Sequence, residues 1–137
     1  MEPGGERDLD ALLASLEPVQ RAGEYVFVTV PAGDERYERV ERADLLMEFK
    51  ELEGVTFILN KETCDKKYPD LFSYSYVSAW ITLTVHSSLE AVGLTAAFAS
   101  ALAREGISAN VVAAFFHDHV FVDIKDAEPW GAPNPEP

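Results

Sequence analysis

The sequence predicts an α+β fold, an antiparallel-rich sheet with helices packed on one side. Three observations predict it. Two β-rich apolar runs, YVFVTV (residues 25–30) and WITLTV (residues 80–85), are alike in character. Each is followed by a stretch with apolar residues at helical spacing. Each such stretch ends at a Glu-Gly pair, Glu53-Gly54 or Glu105-Gly106, from which a further β-run departs. Strand, helix, glycine stop and returning strand, stated twice, describe a sheet with helices laid against it.

Taken in order, DLDALLASL (residues 8–16) puts Leu9, Leu12, Leu13 and Leu16 on one helical face, with Asp8 as N-cap and Pro18 ending the run. EYVFVTV follows between Gly23 and PAGDE, and its unbroken apolar character predicts a central strand covered on both faces. RYERVER alternates weakly and reads as an edge strand or a solvated loop. From Ala43 to Leu52, the residues Leu45, Leu46, Phe49 and Leu52 form a helical stripe that Gly54 stops, and VTFILN is the next strand. KETCDKKYPDLFSYS is polar, contains a proline and reads as a linker or long loop between two halves. YVSAWITLTV (residues 76–85) opens the second half as a long strand. An Ala- and Ser-rich helix runs to Gly106, and ISANVVAAFF and VFVDI give two further strands. The tail AEPWGAPNPEP holds four of the eight prolines and predicts extended or disordered chain.

Composition narrows the function. A chain of 137 residues, 47% hydrophobic, fits one compact domain or two very small modules sharing a core. The net charge of -13 would repel a phosphate backbone, and no Lys/Arg cluster offsets it, which argues against a nucleic-acid partner. The single cysteine, Cys64, cannot close an intramolecular disulfide, so a reducing compartment and an ordinary thiol in a polar loop are expected. MEPGGERDLD has neither the basic start nor the apolar run of a signal peptide. The most apolar stretch, Ala91 to Ala103, is far shorter than the ~20 residues of a membrane span. A soluble, cytoplasmic protein with no membrane partner is expected.

HSSLEAVGL marks the handover from the long strand to the Ala-rich helix. Ser87 and Glu90 fit a Ser-x-x-Glu capping box, with Ser88, Ala91 or Val92 as other helix starts. In each case unpaired N–H groups and the positive end of the helix dipole face the loop, which suits a small carboxylate. Gly93 removes a side chain where a ligand or another backbone approaches. A well-capped helix in close contact with a sheet explains the same residues, and the local sequence leaves both readings open. His117, Asp118 and His119 lie between apolar β-runs, which reads as the turn of a buried hairpin. Two histidines alternating on a strand would share a face, but a metal centre wants three or four ligands, and no recognised spacing ties His86 to them. Ligand-lining or structural roles are therefore expected for both, with no metal or cofactor. No nucleophile elbow, P-loop or dinucleotide fingerprint is present, and His86 beside Ser87 does not make a triad with Asp118. No catalytic residue is assigned, and the chain is not expected to be an enzyme.

ITLTVHSSLEAVGLTAAFASALAREGISANVV followed by FFHDHVFV resembles the ACT-domain proteins, specifically a small stand-alone subfamily built from paired ACT modules. The glycine-leucine pair at the helix start is Gly93-Leu94, and the helix-end pattern is Arg104, Glu105, Gly106 and Ile107. The match is close over residues 80–122 and looser over 8–60. The resemblance implies a ferredoxin-like βαββαβ fold in two modules, residues 1–70 and 71–126, with 127–137 as the tail. It also implies a regulatory site for an amino acid or similar small carboxylate, lying between modules, and a homodimer. On the loop side it singles out His86, Ser87, Ser88, Glu90, Val92, Gly93 and Leu94. Ser108 and Asn110 would be the facing polar groups, and His117 and Asp118 lie at the hairpin end. The subfamily continues into a closing helix that DIKDAEPWGAPNPEP cannot form, so the Asp8–Leu16 helix or a second protomer is expected to cover that module. The alternatives are an assembly module with an empty pocket and a small histidine-based metal-binding protein.

Overall fold

The computed structural model describes residues 17–84 and 88–127, with backbone alone for 88–92 and 94. Within them the chain runs β1 (Val19–Gln20), β2 (Tyr25–Pro31), α1 (Arg36–Arg39), a 3-10 turn (Arg42–Asp44), β3 (Leu45–Lys50), β4 (Gly54–Asn60) and α2 (Lys61–Lys67). It continues with β5 (Val77–Leu83), α3 (Ser88–Arg104), β6 (Ala109–Ala113), β7 (Asp118–Asp123) and a second 3-10 turn (Ile124–Asp126). The class is α+β, as the sequence predicts. The described residues form two compact units, one of Gly23–Ser78 and one joining residues 17–22 to those from Ala79 to Ala127. The expected helix Asp8–Leu16 and the tail beyond Ala127 lie outside the described residues.

In the unit Gly23–Ser78, β2 is central as expected. It pairs antiparallel with β4 (Val28↔Phe57, Val30↔Val55) and with the first residues of β5 (Tyr25↔Ser78, Val26↔Val77). It is not covered on both faces, however. Val26, Val28 and Val30 are buried with Phe57, Leu59, Val40, Cys64, Tyr68 and Phe72, whereas Thr29 on the other face is exposed. The pleat points alternate residues in opposite directions, and only one face meets the helices.

The stripe from Ala43 to Leu52 is not a helix. It forms β3, the outer partner of β4, with a bulge between Leu45 and Met47. Leu45 packs on the core, but Phe49 is 60% exposed and Leu52, at the hairpin tip, 95% exposed. Pairing with the strongly β-forming VTFILN overrides a ten-residue helical spacing. Gly54 is likewise no helix stop. A Cβ there would lie 2.3 Å from the Val30 carbonyl oxygen, so glycine is required for the strands to meet. The parallel between ELEG and AREG therefore fails, because the first is a hairpin turn closed by Glu51 N–H to Gly54 O at 2.8 Å.

RYERVER is neither strand nor loop, and KETCDKKYPDLFSYS is not a linker. Asp34 accepts a hydrogen bond from the Arg36 N–H at 2.9 Å and starts the single turn α1. Asn60 accepts from Thr63 N–H at 3.1 Å and caps α2, which the i,i+4 pairs Lys61–Asp65 and Glu62–Lys66 line. Cys64 is buried against the core instead of lying in a polar loop, and that burial pushes its thiol pKa up, leaving it protonated and unreactive.

In the second unit, β5 lies between β1 (Val19↔Thr82, Gln20↔Ile81) and β7, and β7 pairs antiparallel with β6. Ala79, Ile81, Leu83, Val120 and Val122 share a buried face with Phe98, Ala101 and Leu102 of α3. The helix ends as its glycine predicts. Gly106 takes φ +77°, Ile107 N–H reaches Leu102 O at 2.9 Å and Gly106 N–H reaches Ala103 O at 3.0 Å, which satisfies the last carbonyls. Asp123 caps the one-turn Ile124–Asp126, setting Ile124 and Ala127 against the core. The hairpin turn is Phe115-Phe116, closed by Ala114 N–H to His117 O at 3.0 Å, whereas Asp118 and His119, expected in the turn, open β7 and pair with Ala113 and Val112. The turn is not buried, since Phe115 is 92% and Phe116 80% exposed.

Candidate functional site

Helix α3 is seventeen residues long, so the N–H groups of its first turn have no partner within the helix and lie at the positive end of a full dipole. His86 and Ser87 lie outside the described residues, as do the side chains of Ser88, Glu90, Val92 and Leu94. Gly93, on the second turn, is exposed, and among the described residues nothing approaches within 4 Å of where its Cβ would stand. Two residues on, Thr95 Oγ1 donates to Asp118 Oδ2 at 2.7 Å. That bond brings the start of β7, and with it His117 and Asp118, against the N-terminal part of α3. The hydroxyl and the carboxylate thus meet roughly 10 Å along the axis from the helix start at Ser88.

Ser108 and Asn110 are exposed on the approach to β6 and along it. Ala113, not Asn110, stands opposite Asp118, so Asn110 lies roughly 10 Å along the strand from that position. Ser108 follows the far end of α3. Within a single unit these two residues do not join the others, and they would meet the loop only from another module.

On the sheet face away from α3, His119 Nδ1 accepts from Trp80 Nε1 at 3.0 Å and lies 3.2 Å from Thr82 Oγ1. Arg21 Nε donates to the same hydroxyl at 3.1 Å, and its guanidinium lies over the Trp80 ring. Burial pushes the His119 pKa down from its ordinary 6.5, and the charges of His117 and Arg21 push it further the same way. His117 is exposed in the turn, its ring 6.2 Å from that of His119. Among the described residues no three His, Cys, Asp or Glu side chains converge to hold a metal. Arg21, Trp80, Thr82 and Thr95 went unassigned in the sequence. The parity of Trp80 and Thr82, opposite to buried Ala79, Ile81 and Leu83, was the available signal for two of them.

The strand-to-helix end of the other unit is built differently. A groove of about 530 Å³ is lined there by Pro31, Gly33, Asp34, Glu35, Glu38 and Glu51, among others. Arg36 engages Asp34 in a two-point ion pair, and its side-chain hydrogen bonds hold the carboxyl at a pKa of about 2. Helix α1 has only four residues and offers little dipole. The rim is thus predominantly anionic, with Lys50 as the one basic residue lining the groove.

No curated protein matches the chain. Among solved structures, a Vibrio cholerae protein of unknown function, described as a possible transport protein, is 43% identical over 92% of each chain with a TM-score of 0.69. An Agrobacterium tumefaciens protein is 14% identical over 82% of this chain and 81% of its own, with a TM-score of 0.65, a likeness of fold alone. The ACT domain matches residues 4–78 and, again, residues 75–129. Two successive matches spanning both units, on an α+β framework of antiparallel strands and packed helices, place the chain in the ACT-domain family, whose modules are regulatory and bind small molecules.

Proposed function

We propose that this chain is a non-catalytic regulatory protein of the cytoplasm, acting as a homodimer, that binds an amino acid or related small carboxylate where α3 begins. The Thr95–Asp118 bond carries the reading. The helix start offers N–H groups to the ligand carboxylate, and Asp118, held at Thr95 about two turns into the helix, meets a cationic group of the same ligand. Such a pair of opposite poles selects a zwitterion over a simple acid. Family membership supports the role, since ACT modules commonly bind amino acids and often dimerise. The description of the Vibrio relative as a possible transport protein fits too, because a carrier must also recognise a small cargo.

The test is a thermal-shift screen against the twenty amino acids, their deaminated acids and divalent metals. A ligand at a hundredfold excess over its dissociation constant adds ~2.7 kcal/mol, a rise of roughly 5–10 °C for a domain of this size. Gly93→Leu should block the response and Asp118→Asn should weaken it. Silence across the panel would sink this reading in favour of an assembly module, the reading that the exposed pair Phe115 and Phe116 supports.

A further inference from the structure

The indole N–H of Trp80 can only donate, so its 3.0 Å bond to His119 Nδ1 requires that nitrogen to be unprotonated. The imidazole is therefore neutral with its hydrogen on Nε2. Thr82 is the more tolerant partner. Its hydroxyl, 3.2 Å from Nδ1, donates or accepts, and it already takes the Arg21 Nε–H. Adding a proton at Nδ1 sets N–H against N–H at Trp80, whereas Thr82 accommodates the change by reversing its role. The same strand start holds α3 through Asp118 and Thr95.

We propose that His119 is a proton-operated latch between β7 and β5: neutral, it holds the Trp80 indole; protonated, it turns to Thr82, releases the indole and loosens the end of β7 that clips α3. Among the described residues, the charged and titratable groups facing it are Arg21 just after β1, His117 from the turn and its neighbour Asp118. Strands β5 and β6 contribute Trp80, Thr82 and Val112, none of which titrates near neutrality. Arg21 and His117 both oppose a cationic His119. Asp118 favours it, but its carboxylate is engaged with Thr95. The released state thus belongs to mildly acidic conditions, and the device works with or without a bound ligand.

The test reads the Trp80 indole proton by NMR between pH 8 and pH 5 in the full chain carrying Trp130→Phe, which leaves Trp80 as the sole tryptophan. The expected result is a single titration with a midpoint below 6.5, the ordinary imidazole value. His119→Asn, whose amide oxygen replaces Nδ1 as acceptor, should keep the indole bonded and abolish the titration. His117→Ala should raise the midpoint. Ring-nitrogen shifts of the unsubstituted chain at pH 8 should show the hydrogen on Nε2. A hydrogen on Nδ1 at pH 8, an indole signal that does not move, a midpoint at or above 6.5, or an unchanged titration in His119→Asn would each overturn the latch.

Discussion

Both units place a strand, a helix and a β-hairpin in the same order, yet their strand-to-helix ends have opposite chemistry. After β2 the helix is a single turn, its start occupied by Asp34 and its groove rimmed by Glu35, Glu38 and Glu51. After β5 the helix runs seventeen residues, with Gly93 on its second turn and Asp118 held to it at Thr95. A repeated fold does not imply a repeated site. An anionic ligand group is better served by a helix long enough to present a dipole than by a single turn rimmed with carboxylates.

The contrast can be broken most forcefully at the two cores. Phe57 and Phe98 are both fully buried, each in a separate cluster, and truncating either to alanine should cost about 3–5 kcal/mol. Hydrogen exchange should show protection falling most in Gly23–Ser78 for Phe57→Ala and most from Ala79 onward for Phe98→Ala. Equal loss in both units would mean that the cores melt as one. Next in size is Gly54→Ala, which forces a methyl group against the Val30 carbonyl and should cost about 2–3 kcal/mol by chemical denaturation.

Acid should separate the units by pH window. His119 has a depressed pKa in the folded state, so the stability tied to its neutral form is complete above 6.5 and is lost as pH falls through the lower folded value. Asp34 titrates from 3.8 down to about 2, so its contribution persists until pH falls below 3.8. Between pH 7 and pH 5, amides of β5 and β7 should lose protection while those around Asp34 do not. The smallest effect is expected from Gly93→Ala. With no described atom within 4 Å of that Cβ and a helical backbone, it should stabilise by about 0.5–1 kcal/mol, the opposite sign to Gly54→Ala. A destabilised Gly93→Ala would show a close contact at that position.

Much of this architecture was legible where pattern and pairing agree. The runs containing Val26 and Ile81 and the Ala-rich helix with its Gly106 stop became the elements their spacing predicts, and the hairpin before Val120 formed with its turn shifted to Phe115-Phe116. Misreadings gather where tertiary pairing decides. Leu45, Leu46, Phe49 and Leu52 fit a helix by spacing, yet β4 recruits that segment as a strand whose outer side chains stay in water. The polar segment KETCDKK looked like a linker because its buried anchors, Cys64, Tyr68 and Phe72, are few and widely spaced. For the candidate site, Gly93, Asp118 and His119 were named from local pattern and family resemblance. Their partners Thr95 and Trp80 were not, since Thr95 and Asp118 are 23 residues apart and Trp80 and His119 are 39 apart. Only the folded chain brings such pairs within hydrogen-bonding reach.

The most direct measurement is an amide NMR titration of the full chain with each amino acid that raises its melting temperature. Saturable shifts at Gly93, Leu94, Thr95 and Asp118, with the loop from Pro31 to Glu38 unmoved, are the predicted result. Saturable shifts centred on that acidic loop, or no saturable shift at the start of α3, would contradict the claim that the second unit alone holds the ligand.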